Sequence, residues 1–227
     1  MKKKLVPYLR AGFACLNVIT HEEGRAVTEI AAAAAELEYD VWSWSVTTGF
    51  VSPSGDVIDK TKDPLAALEC FYKWERASED DPSPEGMNIR NKSVVILRDF
   101  HAFLKGNSAV LTRRLRDCIE VGRATYRHLI IVGCEMHLPP ELEKEITVIE
   151  FSLPSREELV EIAKANAGKV NQEMNGETDA IVNAGCGLTT LEFDDACAYS
   201  AAKAGRLDPE ILSSIKADTI KKNGILE

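Results

Sequence analysis

Asp99 is the first residue whose place in the sequence points to chemistry. It follows the apolar run Val94-Val95-Ile96-Leu97 with one residue between. A carboxylate at the C-terminal end of a buried parallel strand lies on the ligand-binding side of a sheet. There it can hold a magnesium ion or touch a nucleotide. It can equally be a hydrogen-bonded structural acid. Hydrolysis would need a second acid beside it to polarise water. The next residue is Phe100, which cannot do so, and His101 comes after.

The second candidate is the turn Thr20-His21-Glu22-Glu23, continued by Gly24 and Arg25. The apolar run Phe13 to Ile19 ends there and an alanine-rich helical pattern begins. A strand that turns straight into a helix is the usual seat of a phosphate-binding loop. Such a loop surrounds an anion with backbone N–H groups and adds a lysine. No G-x-x-x-x-G-K-[ST] pattern occurs in the chain. Glu22 and Glu23 would repel a triphosphate, and each complements a helix dipole, worth about 0.3–1 kcal/mol. The spacing Thr20-x-x-Glu23 predicts a capping box, in which Thr20 accepts from the N–H of Glu23 and Glu23 reaches back to the N–H of Thr20. The turn therefore reads as structural; the alternative is a site for an unusual ligand.

Arg113 and Arg116, three residues apart, share one face of a helix that also carries Arg114. They are either a solvated face paired with Asp117 and Glu120, or an interface patch facing a neighbouring subunit. His21, His101, His128 and His137 show no metal-ligand spacing, and no metal site is expected. The six cysteines form no C-x-x-C pair, so zinc is not expected and reduced thiols in a cytoplasmic protein fit better. No G-x-S-x-G hydrolase motif is present.

The elements that would hold these residues alternate. Strands are expected near 13–20, 39–46, 93–98, 128–133 and 146–151. In "VWSWSV", Trp42 and Trp44 alternate with Ser43 and Ser45, as in a strand near a sheet edge. Helical patterns cover residues 22–37, with Val27, Ile30, Ala34 and Leu37 on one face, the stretch from Pro64 to Trp74, and a stretch marked by Leu111, Leu115, Cys118 and Ile119. The polar segment "ERASEDDPSPEGMNIRN" reads as a loop, the best candidate for disorder. Alternating strands and helices imply a parallel sheet with helices on both faces. After Phe151 the pattern is all-helical. Ser155 with Glu158 and Thr189 with Glu192 predict capping boxes. Gly205 suits a helix end, and a last helix runs from Pro209 to near Gly224. Two parts follow: residues 1–153, α/β, and residues 154–227, all-helical.

The bulk properties exclude some roles. Formal net charge is −9 over 227 residues, which disfavours binding to nucleic acid or anionic lipid. Lys2, Lys3 and Lys4 read as a solvated terminus. No run approaches the roughly 20 apolar residues that span a bilayer. Pro7 and Arg10 interrupt the basic start, so no signal peptide is expected.

An ordered set of segments resembles one family. "VITHEEGRAVTEIAAAAAEL", "DVWSWSVTTGF", "DPLAAL", "VVILRDFHAFL" and "RRLRD" are followed by "LPPELEKEITVIEFSLPSREEL", "GLTTLEFDDACAYSAAKAGRLD" and "IKKNGILE". In this order they are similar to the AAA ATPases named for a conserved open reading frame of algal chloroplasts, found also in bacteria and large phages. That family has an ATPase-like first half without a proper phosphate loop, then a full AAA module. The resemblance covers nearly the whole chain and makes it look like the first half alone, as a piece of a longer protein or a naturally short relative. It implies a P-loop-NTPase-like parallel five-stranded sheet with helices on both faces, followed by a small helical AAA lid. It places Thr20 to Arg25 at a degenerate phosphate-loop position and Asp99 and His101 at a Walker B-like position. Cys134 falls near the end of the strand that usually supplies a polar sensor. No arginine follows "GLTT", where many AAA modules keep a second sensor.

The expectation is a degenerate AAA-type domain, not catalytic alone, serving as a non-hydrolysing scaffold or regulatory half. Its partner would be an active AAA module in cis or in trans, with homo-oligomers possible in the full-length context. No cofactor is expected on this reading. The alternatives are a domain that binds ATP and magnesium through Asp99 and the cleft between core and lid, and a partner-binding module of a phage or bacterium.

Overall fold

The computed structural model describes residues 2–73, 92–106, 108–174 and 176–222. Trp74, the segment "ERASEDDPSPEGMNIRN" and Gly224 lie outside the described residues.

The chain divides into two compact units, Met1–Phe151 and Ser152–Glu227. The first begins with α1 (Lys2–Arg10), β1 (Cys15–Ile19), α2 (Glu23–Glu36) and β2 (Asp40–Ser45). Two short strands follow, β3 (Gly49–Val51) and β4 (Val57–Ile58), then α3 (Pro64–Lys73) and β5 (Ser93–Arg98). The unit is completed by α4 (His101–Leu104), α5 (Ala109–Thr125), β6 (Arg127–Gly133) and β7 (Thr147–Glu150). The seven strands form one sheet in the order β4-β3-β2-β5-β6-β1-β7. The five expected strands are its parallel part: β2 pairs with β5, β5 with β6, and β1 with β6 and β7.

Strand alternation sends side chains to two cores. Leu16, Val18, Val94, Ile96, Ile130 and Val132 pack with Leu5 and Leu9 of α1 and Ala26, Ile30 and Ala34 of α2. Cys15, Val95, Leu97, Leu129 and Ile131 pack with Leu68 and Phe71 of α3 and Leu115, Cys118 and Ile119 of α5. Full burial of each large apolar side chain contributes about 1.5–3 kcal/mol. A central strand of a sheet covered on both faces is buried along its whole length, as Arg127–Gly133 is, and its stretch Leu129–Val132 is wholly apolar.

Two features depart from the sequence reading. The N-terminal stretch is not only a solvated terminus: it is helix α1, and Leu5, Val6 and Leu9 are buried while Lys4 is exposed. Spacings of one and four residues put those three on one helical face. Second, β2 lies near the sheet edge as expected, at the end of the parallel part, but two further strands were not expected. The antiparallel strands β3 and β4 extend the sheet beyond it. Thr61 fastens this extension. Its Oγ1 donates to the Ile58 carbonyl (2.7 Å) and accepts from the Phe50 N–H (2.8 Å), and its carbonyl accepts from Trp44 Nε1 (2.6 Å). Gly49 adopts φ +77, and a Cβ there would lie 2.5 Å from Thr61 Oγ1, so this turn requires glycine.

The second unit contains α6 (Arg156–Lys169), α7 (Thr178–Gly185), α8 (Thr190–Ala204) and α9 (Pro209–Lys222). Ser155 with Glu158 and Thr189 with Glu192 form the expected capping boxes, and Gly205 ends α8 at φ +69. Leu159, Ile181, Val182, Phe193, Cys197, Leu207 and Leu212 make its own core. Among the described residues no helix is long and apolar enough to cross a membrane.

Candidate functional site

The C-terminal ends of the parallel strands place the candidate residues along one edge. Thr20 follows β1, Asp99 follows β5, Cys134 follows β6 and Phe151 follows β7. Backbone bonds carry the ladder past the strand ends. The Thr20 N–H donates to Gly133 O (2.8 Å), the Asp99 N–H to Val132 O (2.8 Å) and the Phe151 N–H to Ile19 O (3.3 Å).

The turn after β1 does not form the capping box that its spacing predicts. Helix α2 starts at Glu23, with Glu22 in the capping position and no side-chain cap. Thr20 Oγ1 accepts from the N–H of Glu22 (2.9 Å), not from that of Glu23. The Thr20 N–H is committed to the sheet, so Glu23 has no donor to reach back to. The Glu23 carboxylate instead pairs with the Arg98 guanidinium. Glu22 is buried and pairs with Arg25. Arg25 also lies 3.4 Å from Glu29 and stacks over the Phe151 ring, 4.5 Å from its centroid. His21 and Gly24 are exposed. The turn thus holds two carboxylates, each on a guanidinium, with an aromatic ring beneath one of them. Sequence reasoning missed Arg98 and Phe151 as members. The Glu22–Arg25 spacing of three residues was legible; the Arg98 contact, across the fold, was not.

Asp99 and His101 diverge. Asp99 is exposed and adopts φ +53, and its carbonyl accepts from the Ala102 N–H (3.1 Å) to start α4. Phe100 turns inward and packs edge-on against Trp44, with ring centroids 5.5 Å apart. His101 is also buried, with its ring against Gly133, where a Cβ would lie 2.2 Å from Nδ1. The exposed carboxylate and the buried imidazole therefore do not share one environment. Cys134, next along β6, is an exposed free thiol.

Arg113 and Arg116 lie on α5. Arg113 is largely exposed and pairs with Asp117 (2.5 Å). Arg116 reaches Glu145 (3.4 Å), which also accepts from Arg123 (2.6 Å). The Arg123 hydrogen bond holds the Glu145 carboxyl below the usual carboxylate range. Asp117 is the partner expected from sequence; Glu145, not Glu120, is the other. Among the described residues no three His, Cys, Asp or Glu side chains are grouped to hold a metal ion.

A parallel sheet ordered β2-β5-β6-β1-β7, a strand-to-helix turn after β1 and an acid after β5 define the class: a P-loop-NTPase-like α/β fold. Solved structures agree at the level of fold. Domain III of the replication initiation protein DnaA of Thermotoga maritima superposes with a TM-score of 0.52 at 13% identity, covering 97% of this chain and 91% of that one. A RuvB variant of Thermotoga maritima gives 0.53 at 17% identity, covering 95% and 67%. A chain of the HORMA:CdnC:Trip13 complex of E. coli MS115-1 gives 0.58 at 12% identity, covering 96% and 86%. The family model described as "SpoVK-like AAA ATPase, N-terminal domain" matches residues 1–151, and the chain belongs to that family. Among curated relatives, the AAA domain-containing protein ycf46 of Pyropia yezoensis is 27% identical over 195 residues, 82% of this chain and 36% of that protein. Its Guillardia theta counterpart is 25% identical over 224 residues, 96% of this chain and 41% of that protein. The chain thus spans well under half the length of these relatives.

Proposed function

We propose that this chain is a AAA-family domain that does not hydrolyse ATP and serves as the scaffold or regulatory half of a AAA assembly. The observation that carries this is the turn after β1, where Glu22 is buried on Arg25 and Glu23 is held by Arg98. A triphosphate with magnesium does not fit this residue set. Two carboxylates occupy the strand-to-helix turn and already engage Arg25 and Arg98, the turn carries no lysine, and Phe100 rather than an acid follows Asp99. The second unit acts as the helical lid. The working partner is an active AAA module, in cis or in trans, consistent with the much greater length of the relatives. Six free thiols suit a reducing compartment such as the cytoplasm.

Calorimetric titration with ATP and magnesium tests the proposal. The expected result is no saturation in the micromolar range, about −8 kcal/mol. Micromolar binding abolished by Asp99→Ala would replace the scaffold with a nucleotide-binding domain. That second reading has one observation in its favour: Asp99 is exposed at the ligand-facing edge of the sheet.

A further inference from the structure

Helices α8 and α9 border a groove of about 590 Å³ within the second unit. Ala196, Ile211 and Ile215 supply its apolar lining. Tyr199 stands beside it with 54% of its surface exposed. Leu191 is 67% exposed. Leu191, Asp195 and Tyr199 are spaced by four residues along α8, so they form one stripe on its surface. Two large apolar side chains turned outward on one stripe, beside a groove with a partly apolar lining, are what a partner's side chains can cover.

The charges around the groove say what that partner carries. Asp195, Glu210 and Asp218 line it, and none of the three makes an ion pair with a described residue. The one cation in the lining is Lys203, whose Nζ lies 5.8 Å from the Tyr199 ring. Three carboxylates against one ammonium favour a cationic ligand. The shape, a groove between two helices in which Ala196, Ile211 and Ile215 lie among charged residues, suits a helix with one apolar and one charged face. Helix α8, with its 15 residues, is about 22 Å long at 1.5 Å per residue, so a partner helix of about four turns would match it. The chain's own basic helix, α1, is not free for this role, because Leu5, Val6 and Leu9 are buried in the first unit.

We propose that the α8–α9 groove is a docking site for a cationic amphipathic helix of a partner protein. Apolar residues of the partner enter between Tyr199 and Ile211 and supply the affinity. Its lysines or arginines meet Asp195, Glu210 and Asp218, which set orientation and speed of encounter. The groove lies wholly within the second unit, so this role is independent of whether the α/β unit binds nucleotide.

The test uses the full chain and a designed, dye-labelled helical peptide with leucine on one face and lysine on the other. A second peptide carries glutamate in place of lysine. Fluorescence anisotropy near physiological salt should show saturable binding of the lysine peptide, with Kd on the order of 10 µM, and none of the glutamate peptide. Leu191→Ala with Tyr199→Ala should weaken binding about tenfold or more, as loss of central anchors does. Asp195→Lys with Asp218→Lys should do the same, and circular dichroism should show both variants folded. Glu141→Lys with Glu143→Lys makes an equal charge change on exposed residues of the first unit and should leave affinity unchanged. Absent binding, equal binding of both peptides, or equal loss in the control variant would overturn the proposal. Self-association of the chain that Leu191→Ala with Tyr199→Ala dissolves would overturn it too and assign the groove to a second copy.

Discussion

Asn17 sits at the middle of β1 with its side chain closed off from water. Neither its amide nitrogen nor its amide oxygen has a hydrogen-bond partner among the described residues. A buried amide without partners costs about 1–3 kcal/mol. Leucine has the same number of side-chain heavy atoms, branched at the same carbon, and no polar ones. Asn17→Leu should raise the stability of the α/β unit by about 1–2 kcal/mol, read as a higher urea midpoint with an unchanged slope. A lower midpoint would mean that the amide does have a partner. His128 supports a second prediction at this scale. It is fully buried, stacks on Tyr39 with ring centroids 5.2 Å apart, and donates from Nδ1 to the Phe13 carbonyl (2.7 Å). Burial lowers its pKa, partly opposed by the Phe13 bond. The unfolded chain, with an ordinary pKa near 6.5, takes up the proton first. Stability from this group is therefore complete above about pH 6.5 and is lost as pH falls from there through the lower folded value. The urea midpoint should drop between pH 7.5 and 5.5. His128→Asn, which keeps a donor for Phe13, should drop less; equal slopes would remove His128 as the cause.

Three expected helix starts carry the same signal, a Thr or Ser followed three residues later by Glu. Two of them, Ser155 with Glu158 and Thr189 with Glu192, form capping boxes. Ser155→Ala and Thr189→Ala should each lower the thermal stability of the helical unit by about 1 kcal/mol, and the double variant by about their sum. A negligible effect of both would deny the caps any role in holding α6 and α8. The third place, Thr20 with Glu23, has the spacing without the structure. Its residues follow a strand inside a sheet, and the pairing with β6 claims the Thr20 N–H before a local cap can. Arg98 then claims the Glu23 carboxylate, from 75 residues away. This is the general limit of what the sequence made legible. The five parallel strands, most of the helices and two caps depend on nearby residues and could be read. The composition of the turn could be read too, but not its bonds, which depend on register between distant strands. The β3–β4 extension is short and rests on Thr61, which carries no strand signal. Helix α1 was hidden by its lysines and Pro7, although Leu5, Val6 and Leu9 already marked its inner face.

At the scale of the molecule, the exposed guanidinium of Arg113 and the partly exposed one of Arg116 are the candidates for contact with the proposed partner module. Each is already paired, Arg113 within α5 and Arg116 with Glu145, and exposed pairs of this kind add little stability, roughly 0–1 kcal/mol. Arg113→Glu with Arg116→Glu should therefore weaken assembly while leaving the melting temperature within a few degrees, about the shift expected of ~1 kcal/mol. Analytical ultracentrifugation of the chain alone at tens of micromolar (roughly the range of weak interfaces) should show a monomer or weak association; a stable hexamer would contradict the proposed dependence on a partner module. The sheet order has a consequence for how the chain is made. Cys15 pairs with Leu129 and Leu16 with Thr147. At ribosomal speeds of about 5–20 residues per second, β1 waits on the order of 5–20 s for its first neighbour in the sheet. Through that interval Leu16 and Val18 have no sheet around them, and Leu5 and Leu9 have only part of their packing surface. A nascent chain halted before Arg127 should leave this apolar N-terminal stretch open to protease, and one released after Phe151 should not.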